Sequence, residues 1–285
     1  MIEHDTASTL QSNQSRRPPE LSGQVALITG GSSGIGLATA RLFVEVGARV
    51  AILARHAERL QRAAAEIETY GDKGSVLPII CDVTKEEQVS QAFKTTLATF
   101  GRLDIVVCNA GYADTMPFDE TSLELMKEML DVHVVGYFLP AREAVRTFKR
   151  QGQGGRIVFT VSDNALKPSK DFAAYNSAKA AELHMARSIA EEVGRYGIRI
   201  NSVLPGAVFG GSQFWTPELR LKRAKAKGFD ANHLEEEYGK DTALGVTIEP
   251  EEVAELILFL ASERSGKITG AAVSIDGGGK SGYVR

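Results

Sequence analysis

Disulfides, metal clusters, membrane spans and a dominant charge are all missing from this chain of 285 residues. It has only two cysteines, Cys81 and Cys108, both in or beside apolar strand-like runs, so neither a disulfide framework nor a metal-ligand spacing is present. Its 33 Lys and Arg nearly balance 36 Asp and Glu, and the net charge of −3 gives no field that would draw nucleic acid or an anionic membrane. No uninterrupted apolar run reaches the roughly 18 residues of a membrane span, and the N-terminus lacks the basic-then-apolar order of a signal peptide. A cytoplasmic protein is expected. What is present, 43% hydrophobic and 24% charged residues, is ordinary for a soluble globular enzyme, and the length suffices for a full core.

The stretch Thr29-Gly30-Gly31-Ser32-Ser33-Gly34-Ile35-Gly36 organises the rest. The apolar run Val25-Ala26-Leu27-Ile28 before it reads as a strand, and the spacing from Leu37 to Val44 after it reads as an amphipathic helix. Glycines at 30, 34 and 36 permit a tight turn, let backbone N–H groups approach a pyrophosphate, and set a helix N-terminus against its charge. Ser32, Ser33 and Ile35 belong to the same phosphate cradle. In a chain with 28 glycines the spacing alone is a weak signal; the strand before and the helix after give it meaning.

Apolar segments at 25–29, 49–54, 76–80, 104–108, 156–161, 198–203 and 271–275 alternate with helical stretches. This predicts an α/β fold, a Rossmann-type doubly wound parallel sheet of about seven strands with helices on both faces. Residues 1–20 are polar and without period and read as a disordered extension; residues 21–285 read as one dinucleotide-binding domain. The second strand ends in Ala54-Arg55 without the acid that would hold a ribose 2′-hydroxyl. An arginine there pairs with a 2′-phosphate, so NADP(H) is the preferred cofactor and NAD(H) the other option, unless Arg55 only solvates the strand end. Asp82 and Val83 close the third strand, where they suit an adenine ring; the alternative is that Asp82 or Thr84 caps the next helix. Small residues in Asn109-Ala110-Gly111 let a cofactor lie against the backbone.

Ser162 ends the buried strand that begins near Gly155. Tyr175 and Lys179 follow in a stretch of small, helix-favouring residues, and their i,i+4 spacing puts phenol and ammonium on one face. A fixed cation nearby and the positive nicotinamide of an oxidised cofactor both favour the phenolate, which lets a group that ordinarily titrates near about pH 10 exchange a proton nearer neutrality.

Together these motifs resemble the short-chain dehydrogenase/reductase family, in order and at normal spacings, over roughly residues 22 to 280. The resemblance implies NAD(P)-dependent alcohol or carbonyl chemistry. Tyr175 would be the proton donor and acceptor, Ser162 would bond the reacting oxygen, and Lys179 would hold the nicotinamide ribose and lower the phenol's pKa. Pro205, Gly206 and Val208 would line the nicotinamide pocket. A homodimer or homotetramer is also implied. A narrower likeness, around Ala174 to His184 and Glu235 to Glu255, is to the dehydrogenase part of bifunctional aldolase/dehydrogenases of deoxysugar metabolism, suggesting a polyol or sugar-like substrate. That group usually has an acid where this chain has Ala54-Arg55.

Two positions depart from the family pattern. His133, in Val132-His133-Val134-Val135-Gly136, stands where an asparagine helps hold a proton-relaying water; it reads either as a substitute catalytic relay or as a helix histidine with satisfied hydrogen bonds. Gly210 stands where a threonine often bonds the carboxamide, a role that either Ser212 or the backbone would take over. Residues 209–247 read as a charged, partly helical substrate lid. Trp215 either lines its pocket or anchors it, and the basic run from Arg220 to Lys227 is either a solvated face or a docking face for an acidic acyl carrier, as in a 3-ketoacyl reductase. A non-catalytic, cofactor-sensing protein is the remaining alternative.

Overall fold

The computed structural model describes residue 17, residues 19–211 and residues 214–279. Most of the stretch read as an N-terminal extension, and Ser212, lie outside them. Arg17, inside that stretch, pairs with Glu255.

The chain begins with β1 (Val25–Thr29), α1 (Gly34–Glu45), β2 (Arg49–Ala54), α2 (Ala57–Glu68), β3 (Val76–Ile80), α3 (Glu86–Phe100) and β4 (Ile105–Cys108). It continues through α4 (Leu123–Leu130), a wide π-type turn over Asp131–Val135, α5 (Gly136–Gln151), β5 (Gly155–Thr160) and α6 (Ala173–Val193). β6 (Ile198–Pro205), α7 (Pro217–Lys227), α8 (Leu234–Lys240), α9 (Pro250–Ala261) and β7 (Ala272–Ile275) complete it. All seven strands anticipated from the apolar runs form, in the order β3-β2-β1-β4-β5-β6-β7, with every pairing parallel.

Alternation along the central strands feeds two apolar layers. Ala26, Ile28, Val50 and Ile52 face the layer closed by α1, α2 and α9, whereas Val25, Leu27, Ala51 and Leu53 face the layer closed by α3, α5 and α6. A strand buried on both faces needs apolar residues at every position, which is why these segments read as continuous runs. Tyr137 shows how a polar tip survives there: it is fully buried, and its hydroxyl donates to the carbonyl of Thr160 at 2.7 Å.

The winding reverses between β1 and β4, so their carboxyl ends part and leave a crevice. Thr29 and Asn109 tie its two walls. Thr29 Oγ1 accepts from the backbone N–H of Asn109 (2.9 Å) and Ala110 (3.1 Å), and Asn109 Nδ2 donates to the carbonyl of Thr29 (3.1 Å).

Candidate active site

A cavity of about 510 Å³ opens above the carboxyl ends of the strands. Its floor begins at the glycine turn, where Gly30, Ser32, Ser33, Gly34 and Ile35 line it. Gly36, expected beside them, does not. A Cβ there would stand 2.3 Å from the carbonyl oxygen of Gly30 and 2.6 Å from Asn109 Nδ2, so this glycine lets α1 pack against the turn. Ser33 begins α1 without a side-chain cap, leaving first-turn N–H groups without an intrahelical partner. Turn, helix end and crevice together fit a dinucleotide pyrophosphate.

Next along the cavity come Arg55, Asp82 and Val83, then Asn109, Ala110 and Gly111. Asp82 caps nothing: its carboxylate accepts from the backbone and hydroxyl of Thr84 at 3.0 and 2.8 Å, while Lys85 occupies the cap position of α3. Burial opposes ionisation of Asp82, but those two bonds and the charges of Arg55 and Lys85 hold its carboxyl below the usual range.

At the far end the cavity reaches His133, Ser162, Tyr175 and Lys179, with Pro205, Gly206 and Val208 as a facing wall. Tyr175 and Lys179 do sit one turn apart on α6, and the Lys179 nitrogen is 5.7 Å from the phenol ring centre. Ser162 Oγ donates to Asp163 Oδ1 at 3.2 Å and accepts from the backbone of Asn164 at 3.1 Å.

In the protein alone the Tyr175 phenol is held above its ordinary range, not below it: burial dominates, Glu182 adds to it, and only Ser162 works the other way. Lys179 does not act as an isolated cation. Its ammonium donates to both oxygens of Glu182, at 3.0 and 2.9 Å, and to the carbonyl of Thr160 at 3.2 Å, and burial pushes its pKa down. Glu182 was not singled out from the sequence, although its i,i+3 offset from Lys179 on one helix was a usable signal.

His133 lies in the π-type turn, buried, with both ring nitrogens engaged: Nδ1 is 3.0 Å from Glu182 Oε1 and Nε2 is 2.7 Å from the carbonyl of Tyr112. Its ring meets that of Tyr175 edge-on at 5.2 Å. Burial, followed by the charge of Lys179, lowers its pKa despite the opposing pull of Glu182.

The segment 209–247 carries α7 and α8 and contributes Phe214, Trp215, Arg223, Lys227 and Tyr238 to the cavity. Trp215 stacks on Phe209 at 4.4 Å and donates Nε1–H to the carbonyl of Val208 at 2.8 Å, which anchors it while it lines the wall. The basic run is not simply solvated. Arg223 is 2% exposed, donates to the carbonyl of Lys170 at 2.7 Å and lies 4.1 Å over the Phe172 ring; Lys222 pairs with Asp114 and Lys227 with Asp241. At Gly210 a Cβ would fall 2.3 Å from Glu249 Oε2, the mobile end of an exposed side chain, and 3.0 Å from Pro250 Cδ, so a threonine there needs the Glu249 carboxylate to swing aside.

A family model described as Enoyl-(Acyl carrier protein) reductase matches residues 30–280. An uncharacterized oxidoreductase, YuxG, of Bacillus subtilis (strain 168) is 46% identical over 270 residues, covering 94% of this chain and 39% of that protein. The chain belongs to the short-chain dehydrogenase/reductase family. As such it is an oxidoreductase of the CH–OH/C=O class, and the family uses NAD(P)(H). A glucose 1-dehydrogenase of Gluconobacter oxydans (strain 621H) is 32% identical, with 90% of this chain and 91% of that one aligned. Among solved structures, a 3-ketoacyl-(acyl-carrier-protein) reductase from Brucella melitensis complexed with NADH is 31% identical, with a TM-score of 0.78, covering 90% of this chain and 98% of that one. Among the described residues, no helix is long and apolar enough to cross a membrane.

Proposed function

We propose that the protein interconverts a polar secondary alcohol, polyol or sugar-like, and its ketone, with NADP(H) preferred over NAD(H). The observation that carries this reading is that Ser162, Tyr175 and Lys179 line the same cavity as the glycine turn of α1. When bound, the nicotinamide supplies the hydride acceptor or donor. Tyr175 takes the hydroxyl proton of the alcohol during oxidation and returns one to the ketone oxygen during reduction. Ser162 donates to that oxygen as its charge changes, and Lys179 holds its ammonium beside the phenol, favouring the phenolate.

The cofactor preference rests on Ala54, which closes β2 without a carboxylate, and on Arg55, which is exposed at the cavity edge where a 2′-phosphate would need a cation. Substrate polarity rests on the other wall. Asp163, Asn164, Lys167 and Ser169 offer donors and acceptors suited to several hydroxyl groups, and the similarity to a glucose 1-dehydrogenase agrees with this. Lys222, Arg223 and Lys227 are engaged within the protein, while the similarity to a 3-ketoacyl-(acyl-carrier-protein) reductase keeps the acyl-carrier reading as the alternative. Segment 209–247 is read as the lid over this pocket, on a single domain that assembles as a homodimer or homotetramer.

Initial-rate measurements with NADP⁺ and NAD⁺ in parallel, across polyols, sugars, simple secondary alcohols and 3-ketoacyl thioesters in the reverse direction, test the reading. Turnover of a polyhydroxyl compound with a higher kcat/KM for NADP⁺ is expected. Turnover confined to thioesters, or binding of cofactor without turnover of anything, would overturn it.

A further inference from the structure

Behind Lys179, three buried side chains form one hydrogen-bonded line. Lys179 Nζ is bonded to both oxygens of Glu182, Glu182 Oε1 is 3.0 Å from His133 Nδ1, and His133 Nε2 is 2.7 Å from the carbonyl of Tyr112. A carbonyl oxygen only accepts, so Nε2 carries a proton. A neutral imidazole protonated there has a bare lone pair at Nδ1, and an ionised Glu182 would set a second lone pair against it. Two acceptors at 3.0 Å need a proton between them. The line therefore holds one proton more than a neutral imidazole and a carboxylate would own. On either atom, that proton leaves the His133 and Glu182 pair uncharged as a unit, and the Lys179 ammonium stands as the net charge of the three.

We propose, building on the roles given above to Tyr175 and Lys179, that His133 is a charge-setting residue: by sharing a proton with Glu182 it keeps that carboxylate from cancelling the cation beside Tyr175. Without the shared proton, a carboxylate 2.9 Å from Nζ would neutralise the charge that the phenolate needs. His133 would then differ from a water-holding relay, since its two nitrogens are already occupied.

The other titratable groups around the pair do not compete for the proton near neutrality. Tyr137, from α5, donates its hydroxyl to the carbonyl of Thr160, and burial raises its pKa well above the ordinary phenol value. Burial likewise raises the Cys108 thiol of β4, with Glu182 adding to it. Tyr175 itself, on α6, faces the imidazole edge-on and is the group whose acidity the pair controls.

The test compares pH profiles of kcat/KM for alcohol oxidation in the wild type, His133→Asn, Glu182→Gln and the double variant. Asparagine cannot share the proton, so Glu182 is left ionised, and the acid limb moves up by about one pH unit, a tenfold loss at neutral pH. Glu182→Gln has no charge to set against Lys179, so its limb stays where the wild type has it, and in the double variant it brings the limb back down. Packing losses alone give no such rescue. An unmoved limb in His133→Asn, or one that Glu182→Gln does not restore, overturns the proposal.

A second readout needs no turnover. Nitrogen-15 spectra of the imidazoles in the wild-type protein without cofactor should find Nε2 of His133 protonated; a neutral ring carrying its proton on Nδ1 alone overturns the proposal even if the variants fail to fold. Tyr175→Phe separates the two levels. If that variant keeps turning over, the catalytic reading itself falls; if it is inactive while the limb of His133→Asn stays put, only the charge-setting role falls.

Discussion

Lys179 Nζ stands 2.9 Å from Glu182 Oε2 with both side chains almost wholly out of solvent, so the cation assigned to the phenol is already held by a carboxylate one turn further along α6. A buried pair of this kind fixes geometry more than it adds stability, because the desolvation of both charges offsets most of their attraction. Its value is orientation: the ammonium is pinned by three bonds beneath the Tyr175 ring.

Tyr175→Phe removes the hydroxyl proposed to exchange a proton with the substrate while keeping the ring contacts with Phe172, His133 and Phe214. Its kcat is expected to fall by about 10²–10⁴-fold, with the dissociation constant of NADP(H) changed less than about threefold. Stopped-turnover assays alongside cofactor fluorescence titration check this, and retention of more than a few per cent of activity, taken as an order of magnitude, would remove Tyr175 from its role.

Arg55 lies exposed at the edge of the cavity, and its charge is felt by Asp82. Replacing it with aspartate puts a carboxylate where a 2′-phosphate would sit and offers an acceptor to a 2′-hydroxyl. The ratio of kcat/KM for NADP⁺ over NAD⁺ should drop by roughly tenfold or more. An unchanged ratio would mean that Arg55 only solvates the strand end.

Gly210 gives a test of packing. A methyl group added there meets Glu249 Oε2 at 2.3 Å and Pro250 Cδ at 3.0 Å; the exposed glutamate swings aside, so Gly210→Ala should destabilise the protein by about 1 kcal/mol at most. Pairing it with Glu249→Ala should recover most of the loss in a thermal unfolding experiment. If Gly210→Ala costs several times that, the Glu249 carboxylate is held more firmly than its exposure allows.

Asp163 carries a pH signature. Burial raises its pKa above the ordinary value of 3.8, against the opposing effects of Lys167 and Ser162. A carboxyl with a raised folded-state pKa binds its proton more tightly folded than unfolded, so its contribution is present below the unfolded value and is lost as pH rises through the folded one. Asp163→Asn should therefore raise the midpoint of thermal unfolding at pH 7.5, by about 2 °C or more, and the gain should shrink toward pH 4. A gain that grows on acidification would contradict the sign.

The sequence by itself determined the scaffold. Continuous apolar runs such as Val25–Thr29 are what a strand buried on both faces requires, and the glycine turn, Ser162 and the Tyr175 and Lys179 pair sit at spacings that local geometry alone converts into one sheet edge and one helix face. Only the tertiary structure decided what surrounds them. Glu182 and His133 are 49 residues apart and meet because α6 packs across the π-type turn that precedes α5; no periodicity links them. The same holds for Arg223, which reads as one member of a charged run until α7 is laid against Phe172 and Lys170. The reason Gly36 must be glycine is also tertiary, because what a missing Cβ makes room for depends on which backbone lies opposite. Charge at this site is set by burial and by neighbours brought from distant parts of the chain, quantities that exist only once the layers have closed.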